Sequence, residues 1–273
     1  MNVLLAHDVV GVRAENPSPF TLTGTNTWIV GRSPAWVVDP GPALHDHVDA
    51  VAAEVQRRGG LGGIALTHDH LDHAEAVPAL RERFAPAPLA GAGGAADLPL
   101  RDGLRAGPLE ALATPGHAPD HLAFLLLPAG HTGADGQAAA AAIAFTGDAV
   151  LGEGSVFIAP DPGALAGYLD GLRRLRERAP ALICPGHGPL VEDPASKIDE
   201  YVAHRLEREH RLLGALDAGA RTIDELLDAT WSDAPVLLRP AAAVTLAAHL
   251  DKLADEGRLP DGVQRPERPP WLP

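Results

Sequence analysis

The sequence THDHLDH, at residues 67–73, places four potential metal ligands close together in the chain. His68 and His70 are two residues apart, so in an extended loop their imidazoles point the same way and can bind one ion. If a helix begins immediately after them, adjacent side chains diverge by roughly 100°, which lets Asp72 and His73 turn toward a second ion. The motif therefore predicts a chain that binds two metal ions.

Short apolar runs followed by Gly- or Pro-containing turns recur along the chain. IAL precedes THDHLDH, LEALA precedes TPGH, IAF precedes TGD, and ALIC precedes PGHG. Buried strands that end in such turns are where α/β folds place functional residues, and these turns contribute His117, Asp148 and His187. Five imidazoles and two carboxylates would then form mixed nitrogen and oxygen sites. Such sites suit two zinc ions, with manganese or iron as alternatives.

A second His-x-His pattern occurs at residues 45–47, at the start of a helix predicted over residues 45–58. No partner motif accompanies it, so we interpret His45 and His47 as part of a solvated helix. The low-complexity segment at residues 127–142 is predicted to form a surface loop or hairpin tip.

Composition restricts the classes of function. The formal net charge of −14, from 22 basic and 36 acidic residues, argues against avid non-specific binding to nucleic acid. No run of about 18 apolar residues predicts a membrane span, and residues 1–15 lack the basic region of a signal peptide. The single cysteine, Cys184, excludes an intrachain disulfide and fits a reducing compartment. We therefore expect a cytoplasmic protein.

The motifs resemble those of the metallo-β-lactamase superfamily. VVDPG at residues 37–41, THDHLDHAEA, TPGH, TGD and PGHG are similar to its five motifs, over roughly residues 20–190. The resemblance implies an α/β (α+β) fold, the αββα sandwich, with a dinuclear site at one edge between the two sheets.

The resemblance also implies a role for each motif residue. The expected ligands are His68, His70 and His117 for the first ion, Asp72, His73 and His187 for the second, and Asp148 as a bridge between them. Asp39 would orient the ligand loop. A hydroxide that bridges two dications is stable near neutral pH and attacks the substrate, with Asp72 as the catalytic residue that orients it. His121 and Asn26 are further candidates for supporting the site or contacting substrate.

The C-terminal segment is predicted to be a separate helical domain. Asp193–Pro194 is a helix-start signal, so we place the boundary there, with a catalytic domain at residues 1–192 and a small domain at residues 193–273. TIDE at residues 222–225 fits a capping box, and three helices followed by a possible strand at residues 258–260 indicate a winged-helix-like fold.

The charges of this segment argue against sequence-specific DNA binding. From residue 197 onward it contains 10 basic and 14 acidic residues. Arg205, Arg208 and Arg211 repeat at three-residue spacing, but Glu207 and Glu209 alternate with them, so we expect a solvated helix face.

Over its whole length the chain resembles the β-lactamase-like protein 2 group, through PSPFTLTGTNTWIVG at residues 17–31, TPGHAPDHLAF and TGDAVLG. This implies a metal-dependent hydrolase that acts on a phosphodiester in single-stranded RNA or on a thioester. One alternative is a glyoxalase II-like hydroxyacyl-thioester hydrolase. An alternative of another class is a regulatory or binding module that acts through the winged helix.

Overall fold

Apolar side chains fill most strand positions of this chain. The computed structural model describes residues 3–127 and 143–270, so the loop predicted at residues 127–142 lies, apart from Leu127, outside the described residues. Within the described ranges the strands are Val9–Arg13 (β1), Asn26–Val30 (β2), Ala35–Val38 (β3), Leu61–Ala65 (β4), Leu89–Gly91 (β5), Leu98–Pro99 (β6), Arg105–Ala106 (β7), Leu109–Ala113 (β8), Leu122–Leu126 (β9), Ile143–Gly147 (β10) and Ile183–Pro185 (β11).

These strands pair into two sheets. The first has the order β1-β2-β3-β4-β5-β6, antiparallel from β1 to β3 and parallel from β3 to β6. The second has the order β11-β10-β9-β8-β7 and is antiparallel except for the parallel pair β10 and β11. Strands β8, β10 and β11 therefore run in the same direction, so the turns that follow them leave the same edge of the sheet.

Helices cover the outer face of each sheet. They are Val3–Ala6 (α1), His45–Arg57 (α2), Leu71–Ala74 (α3), Val77–Arg83 (α4), Ala164–Glu177 (α5), Pro194–Asp217 (α6), Ile223–Thr230 (α7) and Arg239–Asp255 (α8), with a 3₁₀ helix at Val236–Leu238. Apolar residues of α2 and α4 pack on the first sheet, and those of α5 pack on the second. A third cluster, which includes Trp28, Phe124 and Phe145, fills the space between the sheets. This is the predicted αββα order of layers.

The C-terminal helices begin where capping residues predict. The Asp193 side chain accepts the backbone N–H of Ser196 at the start of α6, and Thr222 and Glu225 form both hydrogen bonds of a capping box at the start of α7. The first half of α6 packs on the α5 side of the sandwich through Ile198. The second half of α6 joins α7 and α8 in a separate apolar cluster.

The strand predicted at residues 258–260 is not formed. The backbone N–H of Arg258 donates to the carbonyl of Leu253 at 2.8 Å, and Gly257 has a φ of +68°, so this backbone caps α8. Leu259 instead packs against the apolar cluster of α6, α7 and α8.

Two predictions of solvated side chains were also wrong. Arg205 and Arg208 are only 2% and 6% exposed, because that face of α6 is enclosed by the sandwich on one side and the C-terminal helices on the other. His47 is buried as well, and its Nε2 lies 3.0 Å from both the Thr27 hydroxyl and the Pro40 carbonyl oxygen. None of the helices in the described ranges has the length and apolar character needed to cross a membrane.

Helix α8 contains a buried histidine. His249 is fully buried, and neither ring nitrogen has a hydrogen-bond partner among the described residues. Burial lowers the pKa of His249 to about 3, and the positive charges of Arg205 and Lys252 contribute to the shift.

We expect this histidine to destabilise the protein as the pH falls. Its pKa in the unfolded chain is about 6.5, so below that pH the unfolded state binds a proton that the folded state excludes. Between pH 7 and pH 5 the wild-type protein should lose about 2 kcal/mol more free energy of unfolding than His249→Leu. Urea unfolding of both proteins at the two pH values measures this difference, and equal losses would contradict it.

Candidate metal centre

The seven predicted ligand residues meet at one edge of the sandwich. The segments that follow β4, β8, β10 and β11 supply all of them, with Asp72 and His73 on α3. All except Asp72 and His70 are buried. Three overlapping groups have ligand atoms within 4.8 Å of one another: His68, His70 and His117; His68, His73 and Asp148; and Asp72, His73 and His187. The sequence prediction that these residues converge therefore agrees with the structure.

The first cluster consists of three imidazoles whose nitrogens face a common point. Nδ1 of His70 lies 3.0 Å from Nε2 of His68 and 3.0 Å from Nε2 of His117. The outward nitrogen of His68 lies 3.0 Å from the Thr67 hydroxyl, and that of His117 lies 3.4 Å from the Phe157 carbonyl oxygen. These outer contacts orient both rings so that Nε2 points into the cluster.

The second cluster combines two imidazoles with a carboxylate. Nε2 of His187 lies 3.2 Å from Nε2 of His73 and 3.2 Å from Oδ2 of Asp72. Asp72 remains 30% exposed at its side chain, whereas His73 and His187 are buried. This cluster therefore has one acidic group in contact with solvent.

Asp148 lies between the two clusters and faces both. Its Oδ2 is 3.4 Å from Nε2 of His117 in the first cluster. Its Oδ1 is 3.4 Å from Nε2 of His187 and 3.5 Å from Nε2 of His73 in the second. Oδ1 is buried and has no hydrogen-bond partner among the described residues. A buried anionic oxygen without a donor is costly, so its position favours a bound cation.

The spacing of these atoms fits divalent metal ions. Ligand nitrogens bound tetrahedrally to zinc at about 2.05 Å are about 3.3 Å apart, close to the 3.0 to 3.2 Å between the facing imidazole nitrogens. Neutral imidazoles whose acceptor nitrogens face one another repel, and a cation between them removes that repulsion. The donor set and its spacing therefore fit the predicted site.

Local charges distribute protons unequally between the clusters. Burial and neighbouring imidazoles lower the pKa of His68 well below its usual range, and burial lowers the pKa of His117 to about 4. For His187, burial acts in the opposite direction to the Asp148 carboxylate, which raises the pKa of the imidazole to about 9. The first cluster thus offers neutral nitrogens, whereas a cation at the second would displace a proton.

Asp39 holds the first ligand loop in place. It has a φ of +48°, a strained conformation for a non-glycine residue. Its carboxylate accepts the backbone N–H of Thr67 at 2.8 Å and the Thr67 hydroxyl at 2.7 Å, and it lies 3.0 Å from Nδ1 of His73. These contacts fix the start of the THDHLDH segment and leave Nε2 of His73 facing the second cluster.

Asn26 and His121 support the other loops. The Asn26 amide donates to the carbonyls of Pro185 and Gly188 at 3.1 and 2.9 Å, so it holds the turn that carries His187. Nδ1 of His121 lies 2.8 Å from the Thr114 hydroxyl, and its Nε2 accepts the backbone N–H of Asp148 at 3.1 Å. Both side chains position candidate ligands through the backbone.

Thr67 and Gly147 complete this support, and the sequence analysis missed both. The Thr67 hydroxyl joins Asp39 to His68, as described above, and Gly147 has a φ of +46°. A Cβ at Gly147 would lie 2.4 Å from Oγ1 of Thr67. The threonine before HDHLDH and the glycine of TGD were available signals, because each occurs directly beside a candidate ligand.

Comparisons with known proteins agree with this architecture. A family model described as the metallo-beta-lactamase superfamily matches residues 20–187, which is more than half of the chain. This chain belongs to the metallo-beta-lactamase superfamily. A second model, described as the beta-lactamase associated winged helix domain, matches residues 222–261. The predicted family and fold class, including the winged helix, are therefore confirmed, while the domain boundary at residue 193 stays a prediction.

Two curated proteins and one crystal structure resemble most of the chain. The beta-lactamase-like protein 2 homolog of Caenorhabditis elegans is 27% identical over 270 residues, covering 93% of this chain and 86% of that protein. The atrochrysone carboxyl ACP thioesterase of Aspergillus chevalieri is 32% identical over 246 residues, covering 83% of this chain and 74% of that protein. A metallo-beta-lactamase family protein from Thermus thermophilus has a TM-score of 0.64 at 25% identity, covering 91% of this chain and 94% of that structure.

The glycine of the PGHG turn leaves no room for a side chain beside the site. A Cβ at Gly186 would lie 2.7 Å from Cε1 of His73 and 2.9 Å from Oδ1 of Asp148. We expect Gly186→Ala to displace one of these side chains and to weaken metal binding at least about tenfold. Gly214→Ala in α6 is the control, because nothing lies within 4 Å of a Cβ there. Metal affinity measured by chelator competition tests the pair, and wild-type affinity in Gly186→Ala would contradict the packing argument.

Proposed function

We propose that this protein hydrolyses thioesters at a site that holds two divalent metal ions, most simply zinc. The observation that carries the proposal is a cavity of about 400 Å³ that opens beside His117 and Asp148. Its walls are mainly apolar and include Phe20, Leu151 and Phe157. A largely apolar pocket next to polar reacting groups fits the acyl part of a thioester.

The winged-helix domain also lines this cavity. Trp231 and Leu238 line it together with residues of the sandwich. This shared lining supports a role for the domain in shaping the substrate pocket, rather than the alternative of an independent regulatory or binding module. The name of the Aspergillus chevalieri relative, an atrochrysone carboxyl ACP thioesterase, also supports thioester chemistry.

The arginines of the described surface give less support to a ribonuclease. Many are paired with carboxylates, among them Arg239 with Asp224 and Asp228, and Arg265 with Asp251. Paired arginines contribute little attraction for phosphates, and the net charge of the chain is −14. Hydrolysis of single-stranded RNA is therefore the second candidate activity, and the activity test includes it.

The candidate ligands form two clusters, and each cluster would hold one ion. His68, His70 and His117 would hold one ion and Asp72, His73 and His187 the other, and Asp148, which faces both clusters, would serve both ions. Bound divalent ions would polarise the thioester carbonyl and lower the pKa of water at the site.

Asp72 is the residue that we propose orients and deprotonates the attacking water. Burial acts against its charge, but the contact with His187 lowers the pKa of Asp72, so its carboxylate is ionised near neutral pH. Its partial exposure leaves it open to water, whereas Asp39 is buried and occupied by Thr67 and His73. The apolar cavity wall would hold the acyl group and exclude water from its far end.

We expect metal-loaded protein to hydrolyse acyl-pantetheine thioesters and to lose this activity after chelation. Asp148→Asn keeps the shape of the side chain but removes its charge, so kcat/KM should fall at least about a hundredfold, on the order of 3 kcal/mol. Asp199→Asn is the matched control. Asp199 lies on α6 and is an exposed partner of Arg176, so its substitution should leave kcat/KM unchanged.

The same assay separates the remaining alternatives. Acyl-glutathione and a short unstructured RNA are tested beside the acyl-pantetheine, each with and without chelator. Faster turnover of acyl-glutathione would favour the glyoxalase II-like activity. Metal-dependent cleavage of RNA without thioester turnover would overturn the proposal.

A further inference from the structure

One wall of the cavity contains a buried arginine without an acidic partner. Arg205, on α6, is 2% exposed and lines the same cavity as His117 and Asp148. Across residues 3–127 and 143–270, no carboxylate oxygen lies within 4.0 Å of its side-chain nitrogens. Burying a guanidinium without a counterion is unfavourable, so its position requires an explanation.

The contacts of Arg205 within the protein are to neutral groups. One terminal nitrogen donates to the carbonyl of Val156, and the guanidinium lies 5.6 Å from the ring centroid of Tyr168. Its Nε is buried and has no hydrogen-bond partner in the described chain. These contacts hold the side chain in place but leave its charge unneutralised.

The neighbouring Arg208 shows the opposite arrangement. It lines the same cavity, but its two terminal nitrogens donate to the Asp233 carboxylate at 2.6 and 2.9 Å. The protein itself therefore neutralises Arg208. Lys252, on α8, likewise pairs with Glu209 at 2.8 Å. Of these three cations, only Arg205 has a charge that a ligand could neutralise.

We propose that Arg205 recognises a carboxylate on the acyl group of the substrate, at a distance from the thioester bond. This inference rests on the proposed thioesterase function, and it narrows the substrate class to acyl groups that carry a second acidic group. A guanidinium matches a carboxylate in charge and in planar shape, and Arg205 is the cavity-lining arginine that has no acidic partner in the described residues. The rest of the cavity is mainly apolar, which suits the carbon chain between the two ends.

A purely structural role for Arg205 would affect the hydrolysis of every substrate, not only of substrates that carry an acidic group. Its bond to the Val156 carbonyl holds the segment whose next residue, Phe157, has its carbonyl oxygen 3.4 Å from Nδ1 of His117. Removing Arg205 could therefore disturb His117 whatever the substrate is. The test must compare substrates that differ only in the acidic group.

The experiment uses two pantetheine thioesters of equal length, one ending in a carboxylate and the other in the neutral, isosteric carboxamide. Metal-loaded wild-type protein should hydrolyse the carboxylate with at least about tenfold higher kcat/KM, as expected for a charged hydrogen bond. Arg205→Met should reduce this preference to within about twofold, mainly through KM for the carboxylate, while Arg205→Lys should keep part of it. Arg211→Met, on the exposed side of the same helix, should retain the wild-type preference.

Four results would overturn the inference. Wild-type protein could show no preference for the carboxylate, a result that needs no variant to fold. Arg205→Met could slow both substrates equally, which would indicate a structural role, or it could retain the wild-type preference. A preference for a phosphorylated pantetheine arm that depends on Arg205 would move the recognised anion away from the acyl group.

A binding measurement separates this inference from the proposed function. Non-hydrolysable ketone analogues of the two thioesters are titrated into metal-loaded protein by calorimetry. If no thioester is hydrolysed but the carboxylate analogue binds at least about tenfold more tightly than the carboxamide, and Arg205→Lys weakens only the carboxylate, the Arg205 inference holds while the thioesterase proposal fails. Equal binding of the two analogues to wild-type protein would overturn the inference even if thioesters are hydrolysed.

Discussion

The convergence of five imidazoles, four of them buried, around the Asp148 carboxylate at one edge of the sandwich is the constraint on which this structure depends. Asp148 lies beside imidazoles from three separate segments of the chain, and its Oδ1 has no hydrogen-bond partner within residues 3–127 and 143–270. Such a group is favourable only if positive charge is supplied, by protons on the second cluster or by metal ions. Asp39 and Thr67 contact the rings of His73 and His68, and His121 accepts the backbone N–H of Asp148, so these three residues position the candidate ligands.

The C-terminal helices extend this site into a cavity. Helix α6 contributes Ile198 to the core of the sandwich and Leu212 to the core of the winged-helix domain, so it joins the two cores. Arg205 and Arg208 lie on α6 between these cores and line the cavity. The fold thus supplies polar reacting groups at one end of the cavity, apolar walls along it and a buried positive charge on α6.

The sequence predicted the site more completely than its surroundings. Each candidate-ligand segment follows a short apolar run that forms a strand. That local pattern is sufficient to predict where the candidate ligands lie, because the end of a strand determines where the following segment begins. Asp193 and the Thr222–Glu225 capping box were predictable for the same reason, since helix caps are local. The burial of Arg205 and His47 was not predictable from the sequence, because it arises when α6 and α2 pack against elements that are distant in the chain. The strand predicted at residues 258–260 does not form because the backbone N–H of Arg258 caps α8 and is therefore not available for strand pairing.

We propose that the seven side chains form two metal sites that share Asp148. Elemental analysis of metal-replete protein tests it most directly, on the wild type and on one variant of each cluster. The wild type should contain close to two ions per chain, whereas His70→Ala and His187→Ala should each retain close to one, because each removes a ligand from only one cluster. A wild-type content that stays close to one ion per chain with excess metal would contradict the account.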